Sequence, residues 1–301
     1  MNVRVEIKNQ QPFTTPGGSI NIDIAPVTII TGENGVGKSI LLNSIAANNS
    51  QYNNIATDGF VSSVLWESVG EYYFQHQKDM LMMPIPTSNQ LFDGWMFNCQ
   101  KLCTPRKFSD IVKVWFKYFN LGEISIEEKP NFNRFSETSR HVLKLNNMDI
   151  KDMGNGTVCI VNLILRILHT ICSYPTDLRN IFFYVLHPEI YLSRGNQKKI
   201  ADFLCAISTL GVHVIMETHS DAICNEVCKI AMESYSQGKM ENFKVYNLVK
   251  HDNMTSIHDI EINKCKGFVD NAGTDFMNVA TEYKSIMDAA LRNLELDGKL
   301  K

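Results

Sequence analysis

The segment from Gly32 to Ser39 carries the strongest chemical signal in the chain. It reads Gly-Glu-Asn-Gly-Val-Gly-Lys-Ser and fits the pattern G-x-x-x-x-G-K-[ST]. Glycines in such a loop let backbone N–H groups curl around a phosphate, and a helix that starts there adds the positive end of its dipole. Lys38 would place a charge on the β- and γ-phosphates, and the Ser39 hydroxyl would ligand Mg²⁺. The segment therefore predicts a nucleotide site with these loop positions: Gly32, Asn34, Gly35, Gly37, Lys38 and Ser39.

The chain lacks the motif by which GTPases recognise guanine, and this indicates which base the nucleotide carries. A GTPase needs an Asn-Lys-x-Asp string whose carboxylate reads guanine. The nearest string runs from Asn263 to Lys266 and has lysine where that carboxylate belongs. We therefore expect ATP with Mg²⁺ rather than GTP.

The elements around the loop have the order that a phosphate-binding loop requires. Val3 to Ile7 and Ile20 to Ile24 alternate apolar and polar residues, and Val27 to Ile30 is an unbroken β-branched run. Apolar residues at helical spacing follow from Ser39 to Ala47. The pattern predicts three strands, then the glycine loop and a helix.

Strands and helices alternate again in the second half of the chain, which predicts an α/β fold with a mostly parallel sheet. The expected elements are β-like alternation at 141–150, a buried helix at 158–172, a strand at 181–186, a helix at 196–210 and a strand at 213–216. Residues 1–49 and 141–301 are expected to form one nucleotide-binding head. Residues 50–140, rich in aromatic residues and methionine, are interpreted as a helical insertion or lateral subdomain.

Composition narrows the classes of partner. The 301 residues carry 29 Lys and Arg against 32 Asp and Glu, a net charge of −3, so no overall positive field favours nucleic acid or an anionic membrane. Apolar stretches fall short of the ~20 residues that a membrane helix needs. The start of the chain lacks the layout of a secretion signal, and the eight cysteines suit a reducing compartment, so we expect a cytoplasmic protein. Nucleic acid is expected only through a partner or through basic residues of the insertion.

Three later strings, in order, resemble a known group of ATPases. Asp152 to Thr157 opens an apolar helix, Phe182 to Glu189 is a buried strand that runs into Pro-Glu, and Val214 to Ser220 is a strand that ends in Thr-His-Ser. Together with the glycine loop they resemble the ABC-type ATPase heads of the SMC, RecF and OLD-nuclease group. Within that group, the strings also resemble the stand-alone predicted ATPases that are often encoded in bacterial phage-defence loci.

The resemblance implies a mixed sheet with N-terminal antiparallel strands, a parallel core and a dimer that closes on ATP. Each ATP would lie between one glycine loop and the signature loop of the other head. On this analogy Gly154, Asn155 and Gly156 would offer backbone donors to the opposite γ-phosphate, and His219 would sense that phosphate.

The sequence differs from this family at two positions that matter for ATP hydrolysis. The family has a carboxylate and a neighbouring Glu, Gln or Asn before Pro-Glu, and here these positions are Leu186 and His187. Loss of the acid is expected to weaken hydrolysis more than binding. The remaining candidates for catalysis are His187, Glu189, Glu217 and His219. Gly154 also replaces the serine of many relatives.

Three functions stay open at this stage. The first is a nucleotide-dependent switch that forms a homodimer or higher homo-oligomer and controls a separately encoded nuclease or toxin. Hydrolysis by such a switch is expected to be slow, and the resemblance implies a role in anti-phage defence. The second is an active ATPase of DNA processing in which His187, Glu189 or Glu217 restores turnover. The third is a scaffold in which bound ATP stabilises the fold.

Overall fold

The computed structural model describes residues 3–8, 13, 19–46, 53–55, 105–133, 136–173, 178, 181–252, 254–269 and 283–297. Within these ranges the strands are β1 Val3–Lys8, β2 Ser19–Ile24, β3 Val27–Gly32, β4 Asn53–Ile55, β5 Ile124–Asn133, β6 Ser136–Leu145, β7 Met148–Asp149, β8 Phe182–Leu186, β9 His213–Glu217, β10 Phe243–His251, β11 Met254–Asp259, β12 Glu261–Asn263 and β13 Gly267–Val269. The helices are α1 Lys38–Ala46, α2 Pro105–Tyr118, α3 Asn155–Ser173, α4 Arg194–Ser208, α5 Asp221–Glu233 and α6 Tyr283–Leu296.

A five-stranded sheet lies at the centre, in the order β11-β10-β3-β9-β8. β10, β3, β9 and β8 are parallel, and β11 joins β10 in an antiparallel hairpin. Every residue of β8 and β9 is buried, as the continuous apolar runs of their sequences predict for strands covered on both faces. The expected α/β fold with a mixed sheet is confirmed.

Alternate residues of the central strands face two different cores. Phe183 and Val185 point into the larger core with α3 and α4, whereas Tyr184 and Leu186 point into the core that contains Leu41, Leu42 and Ile45 of α1. The period of two places Ile215, and hence Glu217 two residues later, on the α1 side of the sheet. Leu186 and Glu217 therefore share the face that carries the glycine loop.

A small antiparallel sheet in the order β2-β1-β4 confirms the N-terminal strands expected from sequence. Ile22 and Ile24 of β2, with Phe13, are buried in the same core as α1. This sheet therefore supports the helix that follows the glycine loop.

The expected helical insertion is helical only in part. Pro105–Tyr118 is a helix, but Ile124–Asn133 pairs antiparallel with Ser136–Leu145, so the helical assignment is corrected to paired strands for residues 124–133 and 136–140. Apolar and polar residues alternate in the sequence from Ile124 to Glu127, the strand period, and the aromatic content of the preceding region obscured it. Gln75 and Gln77, which on the same resemblance are candidates for the glutamine loop of ABC-type heads, lie outside the described residues.

Helix α2 packs onto the head through aromatic side chains. Trp115 meets Phe203 of α4 edge to face, with ring centroids 4.7 Å apart, and the Tyr118 hydroxyl donates to Asp202. Val112 and Phe116 are buried in the larger core. The region before α3 is thus joined to the head by apolar contacts.

Cysteines of the head serve as small apolar side chains. Cys159, Cys205, Cys224 and Cys228 are free thiols that are buried in apolar clusters. Burial raises the pKa of Cys159 to about 11, so its thiol stays protonated at neutral pH.

The described helices include none that combines the length and the apolar character needed to cross a membrane.

We expect Phe203→Ala to lower the free energy of unfolding by about 3–5 kcal/mol, because it removes a fully buried ring and leaves a cavity against Trp115. Urea denaturation followed by circular dichroism measures this loss. The control is Val114→Ala on α2, whose side chain is 65% exposed and whose loss should stay within about 0.5 kcal/mol. Equal losses in the two variants would contradict the packing described here.

Candidate functional site

The glycine loop follows β3 directly and leads into α1. Gly35 and Gly37 have φ of 76° and 98°, in the region that favours glycine. Gly32 has φ of 138°, and a Cβ there would lie 2.3 Å from the Leu248 carbonyl oxygen of β10. The loop therefore needs glycine for its backbone conformation and for its close approach to β10.

Lys38 is held inside the loop. Its Nζ donates to the Glu33 carbonyl at 2.7 Å and to the Gly32 carbonyl at 3.1 Å, and the residue is 4% exposed. Burial lowers the pKa of Lys38, while the carboxylates of Glu217 and Glu189 act in the opposite direction. The ammonium group is thus bonded to neutral carbonyls and remains available to an anion in the loop.

Glu217 is the last residue of β9, which lies between β3, the strand before the glycine loop, and β8. In the sheet register it pairs with Ile30 of β3 and with Leu186 of β8. The Ser39 hydroxyl donates to Glu217 Oε1 at 2.9 Å. The residue is 2% exposed, and no described residue donates a hydrogen bond to its Oε2. Burial raises the pKa of Glu217, against the effects of His187 and of the Ser39 bond.

His187 follows β8 in a left-handed conformation, with φ of 46°. Its backbone N–H donates to the Glu217 carbonyl at 2.8 Å, which ties the ends of β8 and β9 together. Its Nε2 lies 3.5 Å from Glu217 Oε1, and its Nδ1 lies 3.8 Å from Glu189 Oε1. The contact with Glu189 raises the pKa of His187, while burial acts to lower it.

Glu189 fixes the segment that contains His219. Its Oε2 accepts a hydrogen bond from the Thr218 hydroxyl, and its Oε1 accepts one from the His219 backbone N–H, both at 2.8 Å. Burial acts to raise the pKa of Glu189, but these bonds and the contact with His187 hold it below its usual value. The carboxylate stays ionised and orients the end of β9.

His219 and His187 lie side by side above the loop. Their rings stack with centroids 5.4 Å apart and planes at 8°. Burial lowers the pKa of His219, and a bond to the Gly32 backbone partly opposes that shift. Both rings border the glycine loop.

A cavity of about 670 Å³ joins these groups, a size that suits a nucleotide. It is lined by Asn34, Gly35, Gly37, Lys38, Ser39, Ile40, His187, Glu217 and His219. Of the residues expected from sequence, the structure therefore brings the glycine loop, His187, Glu217 and His219 together. Ile40 and the orienting role of Glu189 were not foreseen.

The residues expected to form the signature loop lie elsewhere. Gly154 and Asn155 are exposed at the start of α3, and neither they nor Gly156 line the described cavity. A Cβ on Gly156 would lie 2.6 Å from the Tyr191 carbonyl oxygen, so this segment packs against the turn that follows Glu189. Their role toward a second head stays a prediction.

A polar network that was not predicted from the sequence supports the turn after Glu189. Gln197 of α4 accepts a hydrogen bond from the Ser220 hydroxyl at 2.7 Å and donates to the Leu192 carbonyl at 3.0 Å. Ser220 also caps α5 through the N–H of Ile223. Gln197 thus links α4 to the turn that precedes it and to the N-terminal cap of α5.

Solved structures share this fold. An SMC head bound to the C-terminal winged-helix domain of ScpA aligns with a TM-score of 0.51 at 13% identity, over 88% of this chain and 98% of that chain. The SMC head from Thermotoga maritima aligns at 0.47 and 13%, over 87% and 100%. A metal-chelate type ABC transporter aligns at 0.44 and 13%, over 86% and 84%. No family model and no curated protein matches the chain.

The chain has the fold and the glycine loop of P-loop NTPases, with β9 between the P-loop strand and β8. More specifically, the chain has the fold of an ABC-type ATPase head of the SMC kind.

We expect Gly156→Ala to destabilise the protein by about 1–3 kcal/mol, because the new methyl group would meet backbone rather than a movable side chain. Gly154→Ala is the matched control, since a Cβ at that position has open space around it. Thermal unfolding of the two variants measures the difference. A Gly156→Ala variant as stable as Gly154→Ala would contradict the described packing of the signature segment.

Proposed function

We propose that this protein is an ATP-binding head that uses Mg²⁺ and works as a nucleotide-dependent switch. The observation that carries this proposal is the contact between Ser39 and the buried Glu217 inside a cavity lined by the P-loop. In the ABC-type heads that this chain resembles, the carboxylate on the magnesium side of the site stands at the position that Leu186 occupies here. Here Leu186 fills a core position, and Glu217, its partner in the sheet register, supplies the carboxylate from the neighbouring strand.

The chemistry of binding follows from these groups. Backbone N–H groups of the loop and Lys38 would hold the phosphates, and Ser39 would ligand Mg²⁺ with Glu217 in or next to the metal shell. Mg²⁺ keeps several waters and needs few carboxylates. The single carboxylate of Glu217, although it lies on the neighbouring strand, is therefore sufficient for binding. In-line attack by water also needs an oriented base, and His187 and His219 are weaker candidates than a carboxylate beside the γ-phosphate. We therefore infer tight binding and slow hydrolysis.

The switch itself would work through assembly. Two heads would close on ATP, with Gly154, Asn155 and Gly156 of one head facing the P-loop of the other, and the dimer would hold or release a separately encoded nuclease or toxin. The fold shared with an SMC head that was solved bound to ScpA supports control of a partner protein. A role in anti-phage defence extends this proposal on the resemblance of the motifs alone.

A faster ATPase of DNA processing is the second candidate. The contact between His187 Nδ1 and Glu189 Oε1, 3.8 Å apart, favours it, because this carboxylate makes the imidazole at the edge of the cavity a stronger base. Stimulation of turnover by DNA distinguishes it from the switch.

We expect Lys38→Ala to weaken ATP affinity by about 10- to 100-fold, the loss that follows from one charged contact to phosphate. Calorimetry with Mg²⁺ measures the affinity, single-turnover assays measure hydrolysis, and light scattering measures the mass with and without ATP. Lys250→Ala, an exposed lysine of β10, is the control and should bind as the wild type does.

The switch predicts wild-type turnover well below about 1 s⁻¹ and an ATP-dependent increase in mass. Fast turnover that DNA stimulates would favour the second candidate. No ATP binding by the wild type would contradict both.

A further inference from the structure

Three side chains with metal-binding atoms converge at the edge of the sheet where β8 and β9 end. One ligand atom each from His187, Glu217 and His219 lies within 4.8 Å of the other two. The separation between His187 Nε2 and Glu217 Oε1 is 3.5 Å. Two ligands of a tetrahedral zinc ion, each at about 2.0–2.1 Å, are separated by roughly this distance.

A buried oxygen without a hydrogen-bond partner points to a cation-binding site. Glu217 is 2% exposed, and its Oε2 receives no hydrogen bond from any residue that the structure describes. Burial of a carboxylate oxygen without a donor is costly, even where positive groups such as Lys38 and His187 lie nearby. A bound ion beside Glu217 would remove this cost.

A second carboxylate is placed as an outer support for the histidines. Glu189 lies 3.8 Å from His187 Nδ1, which leaves Nε2 directed at Glu217. It also accepts the backbone N–H of His219, so it holds the main chain of the second histidine in place. Histidine ligands in metal sites are commonly backed by a carboxylate on the far ring nitrogen, which fixes the tautomer and the ring orientation.

We propose that His187, Glu217 and His219 form a binding site for a divalent ion that accepts nitrogen ligands, of the zinc and cobalt class, independently of nucleotide. Two imidazoles and one carboxylate are the ligands of open, three-residue zinc sites, whereas Mg²⁺ prefers oxygen. The site differs from the Ser39 position expected for the Mg²⁺ of ATP, although Glu217 borders both.

Metal binding requires one small rearrangement. The rings of His187 and His219 are nearly parallel, so at least one imidazole turns to direct its nitrogen at a shared ion. The side chain of His187 is about a quarter exposed, and His219 is exposed, so both have room to turn toward the cavity. The ion would keep open positions toward the cavity, where its charge favours an anionic ligand.

The test uses metal alone, with no nucleotide present. The full chain, stripped with a chelator, is titrated with Zn²⁺, Co²⁺ and Mg²⁺ in a calorimeter, and the visible absorption of bound Co²⁺ reports its coordination. The variants are Glu217→Gln and His219→Ala, and the control is His251→Ala, an exposed histidine of β10. Circular dichroism verifies that each variant folds.

We expect one Zn²⁺ or Co²⁺ per chain at this site, with affinity at least 100-fold above that for Mg²⁺. Glu217→Gln and His219→Ala should each lose at least 10-fold, and His251→Ala should match the wild type. Glu189→Gln provides a further variant and should lose about 10- to 100-fold through the supporting contact alone.

Failure to bind Zn²⁺ or Co²⁺ would overturn the proposal. Equal binding by wild type, Glu217→Gln and His219→Ala would also overturn it, because the ion would then be held elsewhere. The titration contains no ATP, so its outcome is separate from that of the nucleotide proposal.

Discussion

Burial of the Glu217 carboxylate against the Ser39 hydroxyl is the interaction on which the arrangement of the site depends. A carboxylate at 2% exposure needs hydrogen bonds or positive charge around it, and the chain provides Ser39, His187 and the nearby Lys38. The position of Glu217 follows from sheet order, because β9 lies between β3 and β8. The P-loop and the residues after β8 are thus brought to one carboxylate by strand pairing alone.

Glu189 performs a complementary task at the same edge. It lies after β8, but it bonds to Thr218 and His219 after β9, so its carboxylate joins two loops that are distant in sequence. The backbone bond from His187 to Glu217 ties the same two strand ends. These bonds hold the charged groups of the site in place before a ligand binds. Such preorganisation reduces the entropic cost of binding. The same arrangement explains how Leu186 is tolerated, since its side chain completes the core beneath α1.

Sequence reasoning recovered the parts of the fold that depend on local pattern. The β-branched run before Gly32 and the apolar runs around Val185 and Ile215 predicted the parallel strands, and the glycine loop was recognised from spacing alone. Adjacency of the β8 and β9 strands made Glu217 a candidate. Its bond to Ser39 depends on register and on side-chain direction, which no local pattern contains.

Other features depended on contacts that are remote in sequence. Glu189 was a candidate for catalysis from sequence, but its orienting role was not foreseen because its partners lie about thirty residues away. Gln197 gave no signal, since its role exists only where three elements meet. The hairpin that begins at Ile124 was missed because aromatic content outweighed a short alternation.

The most direct measurement moves the carboxylate from position 217 on β9 to position 186 on β8. Mg²⁺-dependent ATP affinity is compared in the wild type, in Glu217→Gln and in the double variant Leu186→Glu with Glu217→Gln, with affinity in the absence of Mg²⁺ as the reference. If Glu217 supplies the displaced acid, the single variant loses the Mg²⁺ enhancement by about 10-fold and the double variant regains most of it. A single variant that keeps the full Mg²⁺ enhancement would contradict this account.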